Sequence, residues 1–204
     1  KGQINNHLFG ADVDFKRLVP RLKTNTGEKA YESITSTVAM AYYGYDGERV
    51  STYNKFIFSQ NPTNMLMTGG YAVSSVDPIN DHRTYTNLNG ISFWNDTQFL
   101  VKENFIVGCF VGRIKNIGAR QKILRNVTDA NGTITEQRVY GFGTDINYIL
   151  RASPRFVWNI NNFAFTGELE YTRTTPGTIT DEGTVTNTVP VGNTRLLIAM
   201  FYYI

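Results

Sequence analysis

The sequence predicts an all-β protein whose antiparallel, up-and-down strands close into a transmembrane β-barrel. Three observations predict this class. Segments of about 11–18 residues alternate apolar with polar side chains, and they are much longer than the usual strand of about 5–6 residues. The connections between these segments alternate between long and short. The last segment of the sequence, residues 193–204, is apolar. It is too short for a membrane helix but long enough for a tilted membrane strand of about 9–11 residues.

Composition narrows the alternatives. The 204 residues fit one domain, which we take as residues 1–204. Hydrophobic residues make up 41% of the chain, but no run of about 18 apolar residues offers a transmembrane helix. The net charge of +3 comes without a cluster of Lys and Arg, so no nucleic acid is expected as a partner. Thirteen Phe and twelve Tyr, with frequent Thr and Asn, are typical of β structure.

The first four predicted strands lie in the N-terminal third. Within the strand predicted at residues 7–17, apolar side chains at odd positions from 9 to 15 alternate with Gly and charged side chains at even positions from 10 to 16. Residues 33–45 alternate in the same way and end at Asp46-Gly47, a hairpin signal because that turn needs positive φ twice. Residues 49–60 form the third strand, and Pro62 sets the turn before the fourth, residues 65–75.

Five more strands bring the total to about nine. They are residues 84–101, 105–118, 139–160, 163–174 and the terminal 193–204. The segment 139–160 is unusually long, and Pro154 inside it predicts a bulge or an edge position because proline cannot donate a ladder hydrogen bond. The terminal strand is apolar on both faces, so we expect it to pair with the first strand and leave no free edge.

The lengths of the connections predict the sidedness of the sheet. Counted from the C-terminus they alternate as 175–192 long, 160–162 short, 118–138 long, 101–104 short, 76–83 intermediate and 60–64 short. Bacterial outer-membrane barrels have long loops outside and tight turns on the periplasmic side. Two connections break the alternation, since 45–47 is short and 18–31 is long.

The number of strands predicts that this chain is only part of a barrel. If the last strand ends in the periplasm, nine strands place the start of the first one outside. Bacterial single-chain barrels have an even number of strands. We therefore expect this chain to be the C-terminal portion of a longer barrel.

The polar faces of the predicted strands supply candidate pore-lining residues. These are Asp12, Asp14, Lys16, Lys55, Asp96, Asp145, Asn147, Arg151, Arg155, Glu168, Glu170 and Arg195. Acids and bases that face each other across a pore create a transverse field or a salt-bridge plug. The alternative is that they are solvated or mutually paired residues of the wall.

Enzymatic, metal and nucleotide chemistry have little support. Glu168 and Glu170 stand about 6–7 Å apart by strand rise, a spacing similar to that of a glycosidase pair, but any lumenal strand produces it. His7 and His82 have no Cys or acid at metal-ligand spacing, and no glycine-rich phosphate loop is present. We therefore expect no enzyme activity, no metal and no cofactor.

Four segments together resemble the C-terminal part of porin-like outer-membrane proteins of Bacteroidetes. They are "FSQNPTNMLMTGGYAV", "VGCFVGRIKNIGA", "GFGTDINYILRASPRFVWN" and, from "GELEYTRTTPGT" onward, the end of the chain. The resemblance implies a barrel in the bacterial outer membrane, in contact with lipid and assembled through its terminal strand by the barrel-assembly machinery. Such barrels commonly end in an aromatic residue, whereas this chain ends Tyr203-Ile204, so recognition would tolerate Ile or use Phe201 and Tyr203.

The expected function is a channel for passive diffusion of small polar solutes. Tyr202 and Tyr203 would then lie in the periplasmic aromatic girdle. Two alternatives stay open. One is a structural or partner-binding barrel without transport, as a homo-oligomer or with another outer-membrane protein. The other is a soluble β-sandwich that binds carbohydrate.

Overall fold

The computed structural model describes residues 2–128, 134–136 and 138–203. Within these ranges the regular secondary structure consists of strands and one short 3-10 turn, Pro62–Met65. The strands are β1 Gly2–Ile4, β2 His7–Leu18, β3 Ile34–Asp46, β4 Val50–Gln60, β5 Gly69–Val76, β6 Arg83–Lys102, β7 Phe105–Ala119, β8 Asn126–Thr128, β9 Ile134–Glu136, β10 Val139–Phe142, β11 Ile146–Ile160, β12 Phe163–Pro176, β13 Thr178–Ile179, β14 Val185–Thr186 and β15 Val191–Tyr202.

Eight long strands form one antiparallel meander in the order β2, β3, β4, β6, β7, β11, β12 and β15. Pairing is extensive, as between β12 and β15, which pair from Phe163 opposite Tyr202 to Thr174 opposite Val191. The predicted all-β, antiparallel, up-and-down arrangement is confirmed. The sheet is open, because β15 pairs with β12 alone among the described strands, and β1 covers the outer edge of β2 over three residues only.

Strands β4 and β5 share one position in the sheet. Both pair with the same strand, β4 placing Gln60 opposite Asn89 and β5 placing Gly70 opposite Leu88. Both are antiparallel to β6, so they run in the same direction, and residues 61–68 form a detour between them. The prediction that the chain reverses at Pro62 was therefore wrong. Asn61 and Leu66 have positive φ angles of 46° and 56°, which turn the chain out of the strand without reversing it.

This arrangement corrects the predicted strand directions. The turns at 5–6, 47–49, 103–104 and 161–162 lie at one end of the sheet, which we call the short-turn end. The connections at 19–33, 77–82 and 177–190 lie at the other, the long-loop end, where β7 also ends and β11 begins. The two connections that broke the alternation now follow it. Strand β2 starts at the short-turn end. The argument that an odd number of strands requires further strands before residue 7 therefore no longer holds.

The predicted strand 139–160 is two strands with different partners. β10 pairs with β5, whereas β11 pairs with β7. Gly143, at a φ of 59°, starts the turn between them, and the Ile146 N–H donates to its carbonyl at 3.1 Å. The bulge or edge position predicted at Pro154 is absent, since β11 is paired on both sides, with β7 and with β12, and Pro154 lies in register opposite Cys109. The irregular register lies instead between Ile146 and Ile149.

A small hydrophobic core lies at the long-loop end. Ala72, Leu88 and Ile123 are buried there, with Ala119, Val139 and Ile179 packed against them. Backbone hydrogen bonds dock the loops on this core, since the Ile123 N–H donates to the Asp181 carbonyl at 2.6 Å. The described residues form one large sheet and two two-stranded sheets, so the second large sheet that a β-sandwich needs is not among them.

Candidate pore-lining face

The register of the meander places the predicted pore-lining side chains on one face, here called the polar face. Residues directly opposite each other in paired strands share a face, and this relation links Asp12, Asp14, Lys16, Lys55, Asp96, Arg151, Arg155, Glu168, Glu170 and Arg195. Asn147 joins them by alternation at the start of β11. Asp145 does not lie in a strand, because it belongs to the turn before β11.

The opposite face, here called the apolar face, exposes large hydrophobic side chains. Phe56 on β4 is 50% exposed, Leu169 on β12 is 47% exposed and Ile198 on β15 is 79% exposed. Phe163 and Phe165 on the same face are also exposed. An extended array of exposed aromatic and aliphatic side chains marks a surface that meets something apolar.

The polar face is the more enclosed of the two. On β3 it carries the buried residues Ile34, Ser36 and Val38, whereas Thr35 and Ala41 on the apolar side are exposed. Alternation alone did not reveal this, because the more apolar residues of β3 turn toward the polar face. The pairing with Asp12 and Asp14 of β2 settles the matter, since those carboxylates lie opposite Met40 and Val38.

An ion pair crosses one whole strand of the polar face. Arg155 of β11 reaches over β7 to Asp96 of β6, with its Nη2 at 2.5 Å from the carboxylate oxygen. Gly108 of β7 lies between them and leaves the room that this contact needs. A Cβ at position 108 would lie 3.2 Å from the Arg155 Nε.

A second ionic group continues toward β15. Arg151 contacts Glu170 at 2.5 Å and Glu168 at 3.3 Å, and Arg195 contacts the same Glu170 oxygen at 2.9 Å. Two bases therefore share Glu170, while both bases remain about half exposed. The predicted acids and bases on β11, β12 and β15 thus pair with neighbours along the wall.

The β3–β6 part of the polar face carries aromatic rings that the sequence reasoning missed. Tyr42, Lys55 and Trp94 lie in one cross-strand row, and Tyr53 lies in the next row. With Met40 they line a cleft of about 200 Å³. The signal was present in the sequence, because the parity that selects Lys55 and Asp96 also selects Tyr53 and Trp94.

Lys16 holds the 61–68 segment on the polar face. Its Nζ donates to the Asn61 carbonyl at 2.6 Å and to the Asn64 Oδ1 at 3.0 Å. Asn61 and Pro62 are fully buried. This part of the wall is therefore covered by the chain itself near the long-loop end.

An ionic cluster joins two long loops. Arg21 contacts Glu32 at 2.7 Å and Asp81 at 2.6 Å, and Arg83 contacts Asp81 at 3.0 Å. Burial raises the pKa of Glu32, but hydrogen bonds from Arg21 and from the backbone outweigh it and lower that pKa to about 2. Asp81 behaves alike, since hydrogen bonds from the Asn25 N–H, Arg21 and Arg83 outweigh the effect of burial and lower its pKa. No local pattern in the sequence predicts this cluster.

Four polar side chains form a hydrogen-bonded cluster on the apolar face. The Thr52 and Thr97 hydroxyls are 2.7 Å apart, and the Asn95 amide donates to Thr52 at 3.0 Å and to the Asn54 Oδ1 at 2.9 Å. The Thr97 hydroxyl donates in turn to Asn95 at 3.0 Å. This polar quartet therefore satisfies much of its own hydrogen-bonding capacity.

The described residues include no group of three or more His, Cys, Asp or Glu side chains placed to hold a metal ion. None of the helical turns described has the length and apolar character to cross a membrane. Comparisons with protein-family models, curated proteins and solved structures find no match to this chain.

Proposed function

We propose that this chain is part of a β-barrel in a bacterial outer membrane and that the barrel is a channel for passive diffusion of small polar solutes. Lipid surrounds the apolar face, and water fills the space in front of the polar face. The assembly machinery of that membrane engages the terminal strand β15. The long-loop end faces outward and the short-turn end faces the periplasm.

One observation carries the proposal, the difference between the two faces of a single sheet. Phe56, Leu169 and Ile198 stand exposed on one side, while the carboxylates of the long strands lie on the other. The bases Arg113 and Lys115 of β7 lie on the apolar side too, nearer the long-loop end. In hydrocarbon every backbone polar group needs a partner, and long antiparallel strands provide this once the sheet closes. The sorting of tight turns and long loops to opposite ends agrees with such a barrel.

The bulk on the polar face favours more than eight strands. An eight-stranded barrel has an interior just wide enough to be filled by side chains. Here the polar face carries Trp94, Phe110 and several arginines, and it also holds the 61–68 segment. We therefore propose that further strands complete the ring between β15 and the β1–β2 edge.

Closure is testable by cross-linking. In a Cys109→Ser background, single cysteines on the outer edges of β2 and β15 should not join within one 23.0 kDa chain if other strands lie between them. An efficient intrachain cross-link would show that the eight strands close on themselves, and it would overturn the larger ring.

Conductance tests the channel. Purified protein added to planar bilayers should give stepwise currents. Glu170→Gln should shift ion selectivity toward anions, because it leaves Arg151 and Arg195 without their shared carboxylate. Glu103→Gln, in a short turn outside the strands, is the matched control and should leave selectivity unchanged. A protein that stays dispersed without detergent, or that never conducts, would overturn the channel.

A closed structural barrel is the second candidate, and the Lys16 contacts favour it. The 61–68 segment held by Lys16 and the paired charges of β11 to β15 both occupy the interior. Membrane insertion without conductance would support this candidate. Conductance that appears on Lys16→Ala would show that the segment closes a pore.

A further inference from the structure

We propose that the cleft between β3, β4 and β6 on the polar face binds a small organic anion with a flat, apolar body, such as an aromatic carboxylate. On the polar face it is lined by Met40, Tyr42, Gly44, Tyr53, Lys55 and Trp94, and Tyr43 and Asn54, whose side chains belong to the apolar face, complete the lining. It deepens the proposed function, on which it rests, by naming the kind of solute that the polar face retains.

The shape of the cleft fits one ring. Its volume is about 200 Å³, and a cavity of about 150 Å³ is enough to hold benzene. Gly44 forms part of the wall, and a Cβ there would lie 2.8 Å from the Tyr53 ring. The absence of a side chain at position 44 therefore lets the Tyr53 ring lie against the sheet and keeps the cleft open.

The chemistry of the cleft is apolar apart from one cation. Tyr42, Tyr53 and Trp94 supply three aromatic rings from three consecutive strands of the sheet. Lys55 places its Nζ 5.3 Å from the centre of the Trp94 ring. No carboxylate among the described residues lines the cleft. Aromatic rings with one well-placed charge are typical of sites that bind a flat ligand in a fixed orientation.

Lys55 differs from the three arginines and from Lys16 on the polar face. Arg151, Arg155 and Arg195 each pair with a carboxylate, and Lys16 donates to Asn61 and Asn64. Among the described residues Lys55 has no ion pair, only the contact with the Trp94 ring. A bound carboxylate would supply the missing counter-charge, while the flat body of the ligand packs on the tyrosine rings.

Intrinsic fluorescence provides the test. The chain has two tryptophans, Trp94 in the cleft and Trp158 on the apolar face. In a Trp158→Phe background Trp94 is the only tryptophan, so under excitation that selects tryptophan over tyrosine a titration with benzoate reports on the cleft directly. We expect saturable quenching by benzoate, much weaker quenching by benzyl alcohol, which lacks the charge, and none by acetate, which lacks the ring. Equal quenching by benzyl alcohol, or saturable quenching by maltose but not by benzoate, would overturn the proposal.

Matched variants separate charge from folding. Lys55→Gln should weaken benzoate binding at least about tenfold, the effect of losing a hydrogen bond to a charged group, and Lys55→Arg should retain it. Lys102→Gln, an exposed lysine of the same sheet, is the control. Tyr42→Leu should also weaken binding, whereas Tyr45→Leu on the opposite face of β3 should not. Unchanged affinity in both Lys55→Gln and Tyr42→Leu contradicts the site.

The outcome is separable from that of the channel. Binding is measured on folded protein in detergent and does not require conduction. Benzoate binding by a non-conducting protein would keep the site and remove the pore. Conduction without benzoate binding would keep the pore and remove the site.

Discussion

Acid should loosen the two long loops that Arg21 joins, and Glu32 sets the pH at which this happens. The folded pKa of Glu32 is about 2, against an ordinary value of 4.5. This carboxyl is 9% exposed, and Arg21 and Asp81 beside it are also mostly buried. The difference in pKa corresponds to about 3 kcal/mol, since each pH unit is worth about 1.4 kcal/mol.

The direction follows from the lowered pKa. A carboxyl that is more acidic in the folded loops stabilises them fully above its unfolded pKa, at about pH 4.5 and higher. This stabilisation falls as the pH drops, and most of it is gone by about pH 2. Asp81, whose pKa is also lowered, adds to the loss in the same direction.

Hydrogen exchange measures the effect at defined amides. The Arg83 N–H donates to Glu32 at 3.0 Å, and the Asn25 N–H donates to Asp81 at 2.8 Å. Their protection, corrected for intrinsic exchange, should fall by up to about a hundredfold between pH 6 and pH 2. The Asn159 amide at the short-turn end, bonded to the Asn104 carbonyl, is the internal control.

A variant isolates the carboxyl. Glu32→Gln should lower the protection of the Arg83 amide already at pH 6 and should flatten its dependence on pH. Glu28→Gln alters an exposed acid in the same loop and should leave both unchanged. If the Arg83 amide of the parent chain is equally protected from pH 6 to pH 2, the ionised Glu32 does not stabilise the loops and the reasoning fails.

Three further predictions concern the sheet. Phe56→Arg should cost about 2–4 kcal/mol in urea unfolding from liposomes if the apolar face meets hydrocarbon, and a change within about 0.5 kcal/mol would mean that this face meets water. Gly108→Leu should displace Arg155 from Asp96, because even a Cβ there would lie 3.2 Å from the Arg155 Nε. The free energy of unfolding should fall by about 1 kcal/mol, and an unchanged melting temperature would contradict this. Asn162→Ala removes a side-chain donor from the Tyr203 carbonyl, at 3.0 Å, so the Tyr203 amide should exchange faster than in the parent chain, and equal exchange rates would show that this bond does not hold the end of β15.

Local patterns predicted most strand positions well. Residues 105–118 and 163–174 were expected as strands and appear as Phe105–Ala119 and Phe163–Pro176. Both begin directly after short turns; the first opens with a nearly continuous apolar run and the second alternates with period two. Such signals act over a few neighbouring residues, so they can be read without knowledge of the partner strands.

Pairing could not be predicted from the same signals. Pro62 indicates a turn correctly, but a turn does not say whether the chain reverses or rejoins the same position in the sheet. The answer depends on β6, which is long enough at Arg83–Lys102 to pair with β4 and β5 end to end. One mistaken reversal then inverted the assigned direction of every strand that precedes it.

The candidate site could likewise be predicted only in part. Parity identified which charged residues share a face, because side chains alternate strictly along a strand. It did not identify the pairs, since Arg155 and Asp96 are 59 residues apart and meet across a strand. That contact needs a glycine at position 108, because a side chain there would take up the space. From the sequence alone, Gly108 indicates only a weaker strand.

The stability of the apolar face depends on how many members of one polar quartet are replaced together. The quartet is Thr52, Asn54, Asn95 and Thr97. If lipid covers the apolar face as proposed, replacing one member by valine leaves donors and acceptors of the others without a partner, which costs about 1–3 kcal/mol for each unpaired group. Replacing all four removes the need for partners and should be far better tolerated. Because each single substitution is costly, we expect the four positions on β4 and β6 to change together or not at all.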